Sequence, residues 1–136
     1  MKPLHRVDVS SIIDDIKELV LGHTGDTAEE QQVFGGRCKK AVWDITHMVC
    51  GFDPNNRMEL GELVKVISVH RADIHQKLSD NELSYFISVQ GGGLTGEIVD
   101  RKSGQMIHCP IATGYDSVKL SEVFRNSNVL MLSTYH

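Results

Sequence analysis

The sequence predicts an α+β domain: N-terminal helices, three or four of them, packed on a small mixed or antiparallel β-sheet with one further short helix. Three observations carry this. Apolar residues recur at helical spacing as far as Leu78. From Leu83 onward they alternate or run together, as strands do. The chain has 136 residues, so one globular domain over residues 1–136 is expected, long enough to bury a core without covalent staples.

The first helix is expected from about Ser11 to Leu21. Ile12, Ile13, Ile16, Leu19 and Val20 form its apolar stripe, Asp8 or Ser10 caps its start, and Gly22-His23-Thr24-Gly25 ends it. Thr27-Ala28-Glu29-Glu30 then reads as a capping box. Phe34, Cys38, Ala41, Val42, Ile45, Met48 and Val49 follow on one helical face, which must meet a core. Gly35-Gly36 interrupts good helix formers at about 1 kcal/mol per glycine relative to Ala. A close helix crossing or a break there would explain the pair, and Gly51 closes the helix.

Asp53-Pro54 reads as a cap with proline at the first helical position. Leu60, Leu63, Val64 and Ile67 form a third stripe, which Ile74 and Leu78 continue. This is one long bent helix or two helices broken near His70, followed by a turn at Ser79-Asp80-Asn81.

Leu83, Tyr85, Ile87 and Val89 alternate as a half-buried strand does. Gly91-Gly92-Gly93 turns the chain into a second strand, about Leu94 to Val99, and Asp100–Gly104 is a hairpin loop. A third strand covers about Gln105 to Ile111, where Pro110 restricts it to an edge or a bulge. Asp116 or Ser117 caps a short helix bearing Leu120, Val123 and Phe124. Val129-Leu130-Met131-Leu132 reads as a strand buried on both faces, and Ile111 to Val129 is long enough for a right-handed crossover into a mixed sheet.

A formal net charge of −4 disfavours a dedicated nucleic-acid binder, while leaving room for a local basic face. Cys38, Cys50 and Cys109 are odd in number and irregular in spacing, which fits a reducing compartment rather than a disulfide framework. No apolar h-region follows Met1–Arg6 and no apolar run is long enough to cross a bilayer, so no membrane contact is expected. The expected location is the cytoplasm, or the host cytoplasm or virion if the gene is viral.

Gly91-Gly92-Gly93-Leu94-Thr95-Gly96 is a literal G-x-G-x-x-G, with Gly91, Gly93 and Gly96 as the candidate nucleotide-binding positions. Glu97-Ile98-Val99 after it reads as a strand, so no helix N-terminus is available for a pyrophosphate. Over the eight residues Gly91–Ile98 the loop resembles the phosphate-covering loop of protein kinases, but neither D-F-G nor H-R-D follows. A bulged or flexible hairpin is the plainer explanation.

His47 and Cys50 share a helix face at i, i+3, His70 and His75 are five apart, and His108-Cys109 would point to opposite faces of a strand. No C-x-x-C, H-x-x-x-H or H-E-x-x-H is present, so no metal and no cofactor is expected. Cys38, between Arg37 and Lys39-Lys40, would favour a thiolate if exposed, but it lies on an apolar stripe. No catalytic residue is assigned.

These observations favour a non-enzymatic interaction or assembly accessory protein, with a homodimer or another protein as partner. Amphipathic helices, a sheet edge and the terminal Leu132–His136 are its means. A small single-domain chain of this kind suits a viral or phage accessory role. The alternative is an RNA- or DNA-binding accessory domain using Arg37, Lys39, Lys40, Arg101 and Lys102. Arg57, Lys65, Arg71 and Lys77 would join them, and Tyr85 or Phe86 would offer stacking surface. A winged-helix arrangement, with Asp100–Gly104 as the wing, is one form of it. A small nucleotide-binding protein or enzyme using Gly91–Gly96 is the third reading.

Overall fold

The computed structural model describes residues 8–22, 24–69 and 71–125. Four helices come first: α1 (Val9–Leu19), α2 (Ala28–Cys50), α3 (Leu60–Ile67) and α4 (Ala72–Asp80). Three strands follow, β1 (Leu83–Gln90), β2 (Gly93–Asp100) and β3 (Met106–Ala112), and then α5 (Ser117–Arg125). The architecture is α+β, and β1 begins at Leu83, where the apolar period changes. Among the described residues the sheet is antiparallel in the order β1-β2-β3. The apolar run Val129–Leu132, on which a mixed sheet depended, lies outside the described residues, as does Leu132–His136.

Local chemistry starts the first two helices. Asp8 Oδ1 accepts from the Ser10 backbone N–H at 3.0 Å, so α1 begins two residues before the expected start. The capping box of α2 is complete: Thr27 Oγ1 accepts from Glu30 N–H at 3.0 Å, and Glu30 Oε1 accepts from Thr27 N–H at 3.2 Å. Gly51 ends α2 in the left-handed conformation, φ 73°, and its N–H donates to His47 O at 2.8 Å.

Gly35-Gly36 marks neither a break nor a crossing. The helix runs through both residues, and a Cβ at either would meet no atom within 4 Å.

The third stripe divides into two helices. α3 and α4 bury Leu63, Ile67, Ile74 and Leu78, and neither has a side-chain N-cap. Helices this short depend on packing for their stability. Asp53-Pro54 does not open a helix. The Asp53 carboxylate instead accepts from Asn55 N–H, Asn55 Nδ2 and Asn56 Nδ2 at 3.0, 3.2 and 2.9 Å, so local side-chain bonds hold a turn there and α3 starts only at Leu60. α4 extends through Ser79 and Asp80, and the turn falls at Asn81-Glu82, where Glu82 has φ 62°.

The sheet face formed by Leu83, Tyr85 and Ile87 of β1 and Leu94, Gly96 and Ile98 of β2 is buried; α2 lies over its β2–β3 side and α4 over β1. Gly96 allows the approach: a Cβ there would stand 2.8 Å from Val42 Cγ1 and 3.2 Å from Thr46 Oγ1. Beside it, Tyr85 OH and Thr46 Oγ1 are 2.6 Å apart. Thr46 gives its proton to Val42 O at 2.7 Å, so Tyr85 is the donor between them.

Pro110 is accommodated in both of the ways expected. Among the described residues β3 is an edge strand, and a register shift places Thr95 opposite Pro110 and Leu94 opposite Ala112, with Ile111 as the extra residue. α5 is capped by Asp116 Oδ1, which accepts from the N–H groups of Val118 and Lys119, and it buries Leu120 and Phe124. No described helix is long and apolar enough to cross a membrane.

Candidate functional site

A cleft of about 480 Å³ opens beside β3. Three parts of the chain line it: Lys39 and Trp43 of α2, the loop Phe52 to Arg57, and the segment from Cys109 to Tyr115. Trp43 follows Val42 on the helix, one step off the buried stripe, so its indole lies half-buried at the margin of the α2–sheet contact. The indole Nε1 donates to Pro110 O at 3.0 Å. Lys39 Nζ lies over the same ring, 4.4 Å from its centroid.

Another wall is a reciprocal clasp. Arg57 donates from Nη1 to Thr113 O at 2.7 Å and from Nη2 to Gly114 O at 3.1 Å. Its guanidinium carbon lies 4.3 Å from the Tyr115 ring centroid. Tyr115 OH in turn donates to Met58 O at 2.6 Å, and Tyr115 N–H to Gly92 O at 2.9 Å. Phe52 and Ile111 are buried against the cleft, and Asn55, Asn56 and Thr113 add polar groups.

Two cations therefore line the cleft, and among the described residues no carboxylate does. Neither Lys39 nor Arg57 forms an ion pair among the described residues.

The other basic residues are used differently. Arg37 faces Asp15 at 3.9 Å and Glu18 at 3.5 Å, and Lys40 pairs with Asp44 at 2.6 Å. Lys65 pairs with Glu62, and the Arg71 guanidinium holds the Asp73 carboxyl below its ordinary range. Arg101 donates to Leu83 O at 3.1 Å, Ser84 Oγ at 2.9 Å and Ser79 O at 2.9 Å, which fixes it to the corner between α4 and β1. Lys102 is exposed on the β2–β3 loop. Of the five residues assigned to a nucleic-acid face, Lys39 alone lines the cleft. Tyr85 offers no stacking surface because it is buried against Thr46, and burial raises its phenol well above the ordinary value.

The glycine motif is a tight hairpin. Gly91-Gly92 is a two-residue turn, and Gly93 and Gly96 lie inside β2. A Cβ on Gly92 would fall 2.0 Å from Tyr115 O, so the chain itself occupies the space beside the turn.

The thiols are held in their protonated form. Burial raises Cys38, with Arg37 opposing, and raises Cys109, with a Trp43 hydrogen bond and Lys39 opposing. Burial raises Cys50 to about 11. Cys50 Sγ donates to Thr46 O at 3.0 Å, so it turns into the helix rather than toward His47. Among the described residues no group of three His, Cys, Asp or Glu side chains is placed to hold a metal ion.

No family model matches the chain, no curated protein matches its sequence and no solved structure matches its fold. The cleft rests on its own geometry.

Sequence reasoning did not single out Trp43 or Tyr115, and it placed Arg57 in a helical row. Trp43 carried one signal, as the single tryptophan of the chain beside the apolar stripe. Tyr115 carried none, because its partners Arg57 and Met58 are more than fifty residues away in sequence.

Proposed function

We propose that this chain is a non-enzymatic interaction protein that takes a segment of another protein into the cleft between α2, β3 and the Phe52–Arg57 loop. The observation that carries this is a cleft of about 480 Å³ with an apolar floor and two cations that have no carboxylate partner among the described residues. Pockets of this size suit specific ligands, and this lining mixes apolar with polar and charged groups. The raised thiols support a binding role over a nucleophilic one, since the thiolate is the reactive form.

A nucleic-acid role has less support. Arg37 and Lys40 are already paired with carboxylates, and Arg101 is tied to backbone carbonyls. These residues form no continuous track of uncommitted cations for phosphates.

Trp43 makes the test direct, because the chain's single tryptophan stands in the cleft wall. Random displayed peptides would be selected on the immobilised protein and then titrated in solution while Trp43 emission is followed. Selected peptides should shift that emission and displace one another. Peptides that bind with Trp43 emission unchanged would overturn the assignment of the cleft. Tight, steeply salt-dependent binding of single-stranded RNA in place of any peptide would move the protein to the nucleic-acid class.

A further inference from the structure

We infer that the segment taken by this cleft is acidic, with an apolar side chain between its carboxylates. The inference rests on the docking role proposed above and names its ligand.

Charge is the first argument. The chain carries a net −4, yet among the described residues the cleft lining holds Lys39 and Arg57 and no acid. Four other basic residues, Arg37, Lys40, Lys65 and Arg71, each face an Asp or Glu within 4 Å. Lys39 faces an indole instead, and Arg57 a phenol and two carbonyls. A guanidinium has five donors, and these two bonds leave capacity for a carboxylate. Asp53, next to the lining, is engaged by Asn55 and Asn56.

Shape and chemistry give the second argument. Lys39 comes from α2 and Arg57 from the loop, and Phe52, Ile111 and Ala112 line the same cleft. Carboxylates at either end of a short segment would meet the two cations while an apolar side chain covers the floor. The Asn55 and Asn56 amides each give one N–H to Asp53, which holds them in place and leaves their oxygens as acceptors for a peptide N–H. Nucleobases fit less well, because a cation already covers one face of each ring.

The test uses the acetylated, amidated hexapeptide Glu-Asp-Leu-Phe-Asp-Glu and its neutral counterpart Gln-Asn-Leu-Phe-Asn-Gln, each titrated against Trp43 emission. At low salt the acidic peptide should bind roughly fivefold tighter or more, the advantage expected of two partly exposed ion pairs. The gap should narrow at high salt. Lys39→Glu, an exchange at an exposed helix position, should abolish or reverse the preference, whereas Arg57 is left intact because it holds the loop. Equal binding of the two peptides, with Trp43 responding to both, would overturn the acidic assignment and leave the docking role standing. If no peptide, these two or any selected from a library, alters Trp43, the docking role falls as well. A Trp43 response to single-stranded RNA alone would overturn both.

Discussion

From Ala28 to Arg37, α2 fully buries no side chain and sets only Phe34, half-buried, against the core, whereas from Cys38 to Cys50 it buries Cys38, Ala41, Val42, Ile45, Thr46, Met48, Val49 and Cys50. The first half relies on its capping box and on ion pairs from Arg37 to α1. The second half is fixed by the sheet. One continuous helix is thus held by local chemistry at one end and by close packing at the other. The same residue type behaves differently in the two settings. Gly35 and Gly36 have open space around them, while Gly96, beneath the second half, has none.

Six substitutions would sharpen or break this contrast. Gly96→Val should cost the most, about 2–3 kcal/mol in urea unfolding, because its side chain would collide with Val42 and Thr46. Adding Val42→Ala should recover part of that loss, and simple additivity of the two changes would show that the contact is not the cause. Tyr85→Phe should cost about 1–1.5 kcal/mol, since it removes one buried hydrogen bond while Thr46 keeps its bond to Val42 O. Thr27→Ala should cost about 1 kcal/mol by thermal melting, the usual loss for an N-cap. Gly35→Ala and Gly36→Ala should each raise stability, by about 0.5–1 kcal/mol. Destabilisation by either alanine would mean that the exposed half is used for something its open surroundings do not reveal.

The sequence carried the fold well wherever the cause was local. The capping box, Asp8, Gly51 and the change of period at Leu83 all act within a few residues, and each was legible. Asp53-Pro54 misled because a carboxylate before proline suits a helix cap and an Asx turn alike, and Asn55-Asn56 decided for the turn. Gly35-Gly36 misled because open solvent around a glycine leaves no mark in the chain.

The candidate site was far less legible. Its walls join through Trp43 to Pro110 and Arg57 to Thr113, contacts that no periodicity encodes. Arg101 shows the converse. In the sequence it is a cation beside a hairpin tip, but three segments brought together by folding turn it into a structural fastener.

The hydrogen bond from Trp43 to Pro110 has a consequence for self-association. An edge strand is a template on which another chain can grow, and repeated growth leads to fibrils. At Pro110 the template is disabled twice: proline has no N–H to offer, and its carbonyl is already taken by the indole. The residue that marks one wall of the cleft thereby also leaves this stretch of β3 a poorer template for another strand.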